Sequence, residues 1–381
     1  MLLFIFKQND FVLTIKNQIY IIKVRMEENM DKVKFVQIGC GKMAVYTMRY
    51  AIENGMKIVG AVDINPEVIG KDVSSVIGCE EVGVVVRHVD ELDSLLKENR
   101  PNVAIVTTMS LMSDLEGVLM TCAKNGVNAI TTCEEAFFPE NSSPRITEEL
   151  DIVAKENNCT ITGSGYQDAF WGNLITTIAG ATHNIKEIRG SSSYNVEDYG
   201  IALAKAHGAG LTLEEFDKEV ASADRISVEE RKKLIENGEF VPSYMWSTNG
   251  WLCDKLKLTP VSQIQKCVPM THTEDIYSST LNMTVKAGDA TGMSAVVTTE
   301  TKEGIRIVSE CIGKVYAETD CDKNEWTVVG EPETTFVVTR PNTVELTCAS
   351  IVNRIPDVLA APAGYVPTSR MGEMKYQKMA K

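Results

Sequence analysis

Long apolar runs, metal-ligand spacings and clustered positive charge are all scarce in this 381-residue chain. The opening MLLFIF stops at Lys7 after six apolar residues, whereas a membrane helix needs about 20. A secretory leader needs a longer apolar region and a small-residue cleavage site, and no alanine precedes Ala44. Neither a membrane span nor a leader is expected. Residues 1–29 read as an extension ahead of a fold that starts near Met26 or Met30. The four histidines form no His-x-x-x-His pair and the ten cysteines no Cys-x-x-Cys pair, so no metal and no disulfide framework are expected. Reduced thiols point to the cytoplasm. Lys and Arg total 38 against 52 Asp and Glu, a formal charge of −14. Nucleic acid and anionic membranes both reward clustered positive charge, so neither is an expected partner. A soluble enzyme or small-molecule binder fits better.

The chain does have the material for a large core, at 44% hydrophobic residues, and its length suggests two domains. From 33 to about 162, β-branched runs (KVKFVQI, KIVGAVD, NVAIVTT, VNAITT, CTITG) alternate with helical patterns. That alternation predicts a parallel sheet covered on both faces, an α/β Rossmann-type domain. From about 185, strand-like runs follow one another, as in IRIVSECIGKVY and TTFVVTR. They predict a second, α+β domain with a mainly antiparallel sheet. A helical insertion is expected at about 211–257, its helix starts marked by the capping boxes Thr212/Glu215 and Ser227/Glu230. The expected division is 30–165 for dinucleotide binding, with 344–381 packing back on it, and 166–343 for substrate binding and oligomerisation.

Gly39-Cys40-Gly41-Lys42-Met43-Ala44 is a Gly-x-Gly-x-x-Ala turn between the first strand and the first helix. The first glycine makes the turn, the second lets a pyrophosphate approach the backbone, and the helix N-terminus faces the phosphates. Asp63 ends the next strand, 24 residues after Gly39. An acid there accepts from the ribose hydroxyls of NAD and repels the extra phosphate of NADP, and no Arg follows it. NAD is therefore the expected cofactor, with NADP still possible through Lys42. Thr107, Thr108 and Met109 end the fourth strand and are expected to border the ribose and nicotinamide.

The carboxyl ends of parallel strands are where ligands bind. TTCEEAFFP ends the fifth strand there, which makes Glu134 and Glu135 the candidates for chemistry. Many two-domain sugar dehydrogenases carry Glu-Lys-Pro at this point, and Glu135 stands where their acid/base Lys stands. A carboxylate holds an ammonium and takes its proton, which moves the expected substrate from alcohol to amine. Acids at helix starts are also common, so a capping role for either is the alternative. Tyr166, Gln167 and Asp168 leave the sixth strand, with Asp168 equally readable as a helix N-cap. Tyr194, Asn195, His207 and His272 complete the candidate substrate contacts, with solvated loops as the alternative for each.

GCGKMAVYTMRY, GAVDINPEVIGKDVSSVIG, TTCEEAFFP and the closing TCASIVNRIPDVLAAPAGYV resemble the 2,4-diaminopentanoate dehydrogenases and related native amine dehydrogenases. That family shares the amino-terminal domain of dihydrodipicolinate reductase, and the resemblance covers roughly residues 33 to 370. It implies reversible, NAD(P)-dependent oxidative deamination of a short diamino acid, a catalytic carboxylate at Glu134 or Glu135, and a homodimer. The chain departs from the family at Gly163-Ser164-Gly165-Tyr166-Gln167-Asp168, where a Gly-x-Asn-Pro-Gly type sequence is expected, and in the insertion carrying Trp246 and Trp251. Glu-x-x-His-His and Lys-x-Asp-x-Pro-Ser-Gly-Thr, marks of true dihydrodipicolinate reductases, are missing. Reduction of a cyclic imine and a non-catalytic dinucleotide-binding regulator are the competing readings.

Overall fold

The computed structural model describes residues 33–377; the reading of 1–29 as an extension falls outside them. Among the described residues no helix is long and apolar enough to cross a membrane.

The first sheet grows from the alternation seen in the sequence. Strands β1 (Lys34–Ile38), β2 (Lys57–Asp63), β3 (Val86–His88), β4 (Val103–Val106), β5 (Asn128–Thr131) and β6 (Thr160–Gly163) pair in parallel. Their order is β6-β5-β4-β1-β2-β3, so the strand order reverses between β1 and β4. All four residues of β4 are buried, as a strand covered on both faces requires. One face packs on Leu95, Leu115, Leu119 and Leu150. These come from α2 (Leu92–Asn99), α3 (Met112–Lys124) and α4 (Pro144–Glu156). On the other face, α1 (Lys42–Glu53) brings Met48 against Phe35 and Ile105.

After α5 (Leu174–Ala179), β7 (His183–Asn195) enters a six-stranded second sheet. Its other strands are β8 (Pro260–Thr271), β11 (Ala290–Thr301), β12 (Arg306–Lys314), β13 (Lys323–Glu331) and β14 (Thr334–Thr339), in the order β14-β13-β7-β12-β11-β8. A two-stranded ribbon, β9 (Ile276–Ser278) with β10 (Met283–Val285), stands apart. The fold class is the expected one, a Rossmann-type domain plus an α+β domain. A single parallel pair, β7 with β12, interrupts the antiparallel pattern. Strand β8 has no counterpart among the expected strands. It is an edge strand, and exposed Ser262, Ile264, Lys266 and Val268 obscure its alternation.

Both expected capping boxes form, at the starts of α7 (Leu213–Glu219) and α8 (Val228–Asn237), with each hydroxyl accepting from the third backbone N–H. They follow the short α6 (Ile201–Ala206). The stretch read as an insertion ends in a core helix, α9 (Tyr244–Leu256), buried from Met245 through Cys253. Its buried polar residues are paired: Asn249 Nδ2 donates to Thr299 Oγ1 at 2.9 Å and its Oδ1 accepts from Ser309 at 2.6 Å. Trp251 stacks on Phe137 of the first domain at 5.2 Å, and its Nε1 donates to Thr368 at 2.9 Å.

Helix α10 (Thr343–Ala360) returns to the first sheet, placing Ile351, Ile355 and Val358 in the core beside Phe35 and Ile105. Beyond it, β15 (Gly364–Tyr365) pairs with β6 as a seventh parallel strand. At their junction lies a fully buried ion pair. Arg354 donates from Nε and Nη2 to the two oxygens of Asp168, at 2.8 and 3.1 Å. Ser164 Oγ and Asn173 Nδ2 donate to the same carboxylate, each at 2.8 Å. Arg354 Nη1 is taken by Asp357 and by the Gly372 carbonyl.

Removing one member of a buried pair strands the other charge. Arg354→Met and Asp168→Ala should each lose about 3–5 kcal/mol of stability, measured by urea denaturation. The double variant should lose clearly less than the sum, because the two side chains act as one unit.

Candidate active site

The glycine turn sits where β1 meets α1. Gly39 has φ +84°, and a Cβ there would lie 2.5 Å from Thr108 Cγ2, so both conformation and space demand glycine. Gly41 borders open space, with nothing within 4 Å of a Cβ position. It precedes α1 without any side-chain cap, which leaves the first N–H groups of the helix directed at that space. Asp63, at the end of β2, accepts from the N–H of Cys40 and from that of Asn65, the latter at 2.7 Å. Thr107 Oγ1 lies 3.1 Å from the Gly39 carbonyl and takes a hydrogen bond from Gln37. An open, uncapped helix start with a carboxylate at the next strand end fits a dinucleotide. Lys42 is exposed beside it, as is Met109. The Cys40 thiol is pushed up to about 12 by burial and by the charge of Asp63, so it stays protonated and unreactive.

Met43, one residue into α1, reaches a cavity of about 190 Å³ between the two domains. Glu134, Tyr166, Trp171, Tyr194, Tyr244 and Thr347 share its wall. Among the described lining residues Glu134 is the sole acid, and none is Lys, Arg or His. Burial pushes the Glu134 carboxyl above the usual carboxylate range, against a hydrogen bond with the Ser110 side chain that pulls it down. The Cys311 thiol in the same wall is pushed up to about 12 by burial and by Glu134. Tyr166 stacks on Phe170 with ring centroids 4.4 Å apart and meets Trp171 edge to face. The Tyr166 hydroxyl and Trp171 Nε1 are buried without a hydrogen-bond partner among the described residues, two donors suited to a bound ligand.

The two adjacent acids diverge. Glu135 lies outside the cavity wall. Its Oε2 accepts from the N–H of Met112, at the start of α3, at 2.7 Å, and its Oε1 from Ser142 and Ser143, each at 2.6 Å. The alternative of an acid capping a helix thus describes Glu135. Asp168 as a substrate contact is corrected: at zero exposure, with both oxygens bound to Arg354, it cannot reach a ligand. Asn195 caps a 3-10 turn through the N–H of Glu197. His272 bonds locally to Glu274, away from the cavity wall. Gln167 lines the cavity, while His207 stands behind Tyr194. Ser192, Tyr244, Cys311 and Thr347 in the wall were not anticipated. Tyr244 and Cys311 come from a helix and a strand where no local motif marks them, while Ser192 lies two residues before Tyr194 and Thr347 opens TCASIVNRIPDVLAAPAGYV.

Residues 171–376 match the family model of the 2,4-diaminopentanoate dehydrogenase C-terminal domain. The 2,4-diaminopentanoate dehydrogenase of Acetoanaerobium sticklandii is 24% identical over 193 residues, half of this chain and 54% of that protein. This chain therefore aligns with about half the length of that curated relative. The 4-hydroxy-tetrahydrodipicolinate reductase of Methanocaldococcus jannaschii is 35% identical over 107 residues, 28% of this chain and 36% of that protein. The solved structure of an amine dehydrogenase from Mycobacterium smegmatis superposes with a TM-score of 0.77 at 32% identity, covering 91% of this chain and 98% of that one.

Different surroundings give the two acids different stability signatures. Glu135→Gln disturbs three charge-assisted hydrogen bonds and should cost about 1–3 kcal/mol in chemical denaturation. Glu134→Gln should cost nothing at neutral pH. The raised carboxyl favours the protonated form when folded, so ionisation at neutral pH works against folding and its removal relieves that.

Proposed function

The chain belongs to the 2,4-diaminopentanoate dehydrogenase family, and from that premise we propose that it catalyses the NAD(P)-dependent oxidative deamination of a short amine, and the reverse reductive amination. The observation that carries this reading is Glu134, a carboxylate in the wall of a cavity that holds no cation among the described residues and also touches the glycine turn through Met43. A bound nicotinamide dinucleotide supplies the hydride acceptor. The uncapped start of α1 would hold its pyrophosphate and Asp63 its ribose. Thr107, Thr108 and Met109 would border the remainder. Glu134 takes a proton from the substrate ammonium, which frees the nitrogen lone pair that drives hydride loss from the neighbouring carbon. Glu134 is neutral once it holds that proton, and its carbonyl oxygen then accepts a hydrogen bond from the iminium N–H. Met43, Tyr166, Trp171 and Tyr244 shield this exchange from bulk water.

For the substrate we propose a short diamino acid of the 2,4-diaminopentanoate type, in line with the family. One observation favours a second reading, an amine without a carboxylate: among the described residues no cationic side chain lines the cavity to pair with one. The unpartnered Tyr166 and Trp171 donors, with wall hydroxyls such as Ser192, Ser193 and Thr347, would hold a carboxylate if there is one.

NADH formation from 2,4-diaminopentanoate and from 2-aminobutane separates the two readings; no NADH from either overturns the proposal. Glu134→Gln should lower turnover about 10²–10⁴-fold with NAD binding unchanged, and near-normal turnover would remove Glu134 from the mechanism. In the unmodified protein, turnover should fall as pH drops through the raised Glu134 ionisation, above the usual carboxylate range, because the base must be charged.

The position of Asp63 supports NAD as the preferred cofactor. Asp63→Ser should shift the ratio of kcat/KM values toward NADP, and equal efficiency with both cofactors in the unmodified protein would refute this preference.

A further inference from the structure

Tyr194 shares the cavity wall with Glu134, and behind it lies His207, 93% buried. His207 Nδ1 is 2.9 Å from the Leu203 carbonyl oxygen. A carbonyl only accepts, so Nδ1 carries the hydrogen and Nε2 of the neutral ring is an acceptor. Tyr194 Oη, 2.7 Å from Nε2, therefore donates to it. Burial holds the imidazole below its usual range, which keeps the resting ring neutral and leaves Nε2 as the acceptor. The rings meet edge to face, at 80°.

The space for this pair is built into the second sheet. Gly313 of β12 stands opposite Tyr194 in the register with β7. A Cβ at Gly313 would lie 2.5 Å from His207 Cδ2, 2.7 Å from its Nε2 and 2.8 Å from Tyr194 Cζ. Any side chain there would push the pair out of place.

Oxidative deamination moves protons at two separate stages. Glu134 serves the first, before hydride departs. The second comes when water adds to the iminium, and by then Glu134 already holds a proton. We propose that Tyr194 and His207 form a proton relay for that second stage; the inference rests on the amine dehydrogenase reading. As the water oxygen bonds to the iminium carbon, one water O–H breaks and its proton passes to Tyr194 Oη. The phenol's own proton passes in the same motion to His207 Nε2, so no tyrosinate accumulates. The π electrons of the carbon–nitrogen bond become the lone pair of the amine nitrogen. The imidazolium, still donating from Nδ1 to Leu203, returns its proton by the same path to that nitrogen. The carbon–nitrogen bond then breaks and the carbonyl forms. The departing nitrogen takes up the remaining hydroxyl proton and leaves as ammonium. Iminium and water thus become carbonyl and ammonium, with every proton placed.

Stopped-flow measurement of NADH formation, with NAD and whichever of 2,4-diaminopentanoate and 2-aminobutane is oxidised faster, tests the relay. In Tyr194→Phe and His207→Gln the first turnover of NADH should form within about threefold of the unmodified rate. Steady-state turnover should fall about 10²-fold or more, which appears as a burst followed by a slow phase. Loss of both rates together, or of neither, overturns the relay. The absence of NADH in the unmodified protein overturns the amine reading instead. If His207→Gln does not fold, Tyr194→Phe decides alone, with its melting temperature and NADH affinity as controls. Nitrogen NMR gives a readout independent of turnover: Nε2 of His207 should be the unprotonated nitrogen in the resting protein, and a protonated Nε2 overturns the proposed direction.

Discussion

Removing a carboxylate and a guanidinium from water costs several kcal/mol for each ion, and only near-complete hydrogen bonding makes such a pair tolerable. Asp168 and Arg354 meet that condition, with four donor atoms on the carboxylate and three acceptors around the guanidinium. Their contact joins a turn just beyond β6 to α10, elements almost two hundred residues apart. The turn is a π turn, Asp168–Asn173, a geometry that rarely forms without support. Tyr166 precedes it and Trp171 lies within it, so these two of the cavity's aromatic donors are aimed by a contact neither of them makes. The other wall depends on the same pair, because α10 also carries Thr347.

Next to this frame, the divergence of two consecutive acids is a matter of backbone direction. Glu134 and Glu135 stand at the start of a 3-10 turn, where successive side chains point about a third of a turn apart. One direction leads to the cavity. The other leads to the start of α3, where the Met112 N–H and the hydroxyls of Ser142 and Ser143 hold the Glu135 carboxylate. Glu135 fixes the turn, and the turn aims Glu134.

The first domain was legible in the sequence because its signals are local. Its strands are continuous apolar runs, its helices are periodic, and the glycine turn with Asp63 lies within thirty residues. Capping boxes were legible for the same reason, since each is contained in four residues. The cavity was only partly so. Glu134, Tyr166, Gln167 and Tyr194 stand in motifs or polar clusters that invite attention. Tyr244 and Cys311 are brought in by tertiary packing alone, and nothing beside them in sequence says which face turns inward. Asp168 misled for an instructive reason: an acid before a helix looks the same whether it caps, binds a ligand or faces an arginine from the far end of the chain. Strand β8 escaped because its inward positions include the polar Gln263 and Gln265 while the apolar Ile264 and Val268 face out, the reverse of the expected alternation.

The late return of α10 and β15 to the first sheet has a consequence for how the chain assembles during synthesis. When the first 165 residues have emerged, β6 lacks its outer neighbour, and the surface later covered by Ile351, Ile355 and Val358 is bare. Both wait for roughly two hundred further residues, and domains emerge at about 5–20 residues per second. For tens of seconds the nascent dinucleotide domain therefore presents an open strand edge beside an apolar face, the combination on which chaperones act and from which misassembly begins. Native closure of that domain cannot be its first folding event; it is among the last, reached when the C-terminal segment docks.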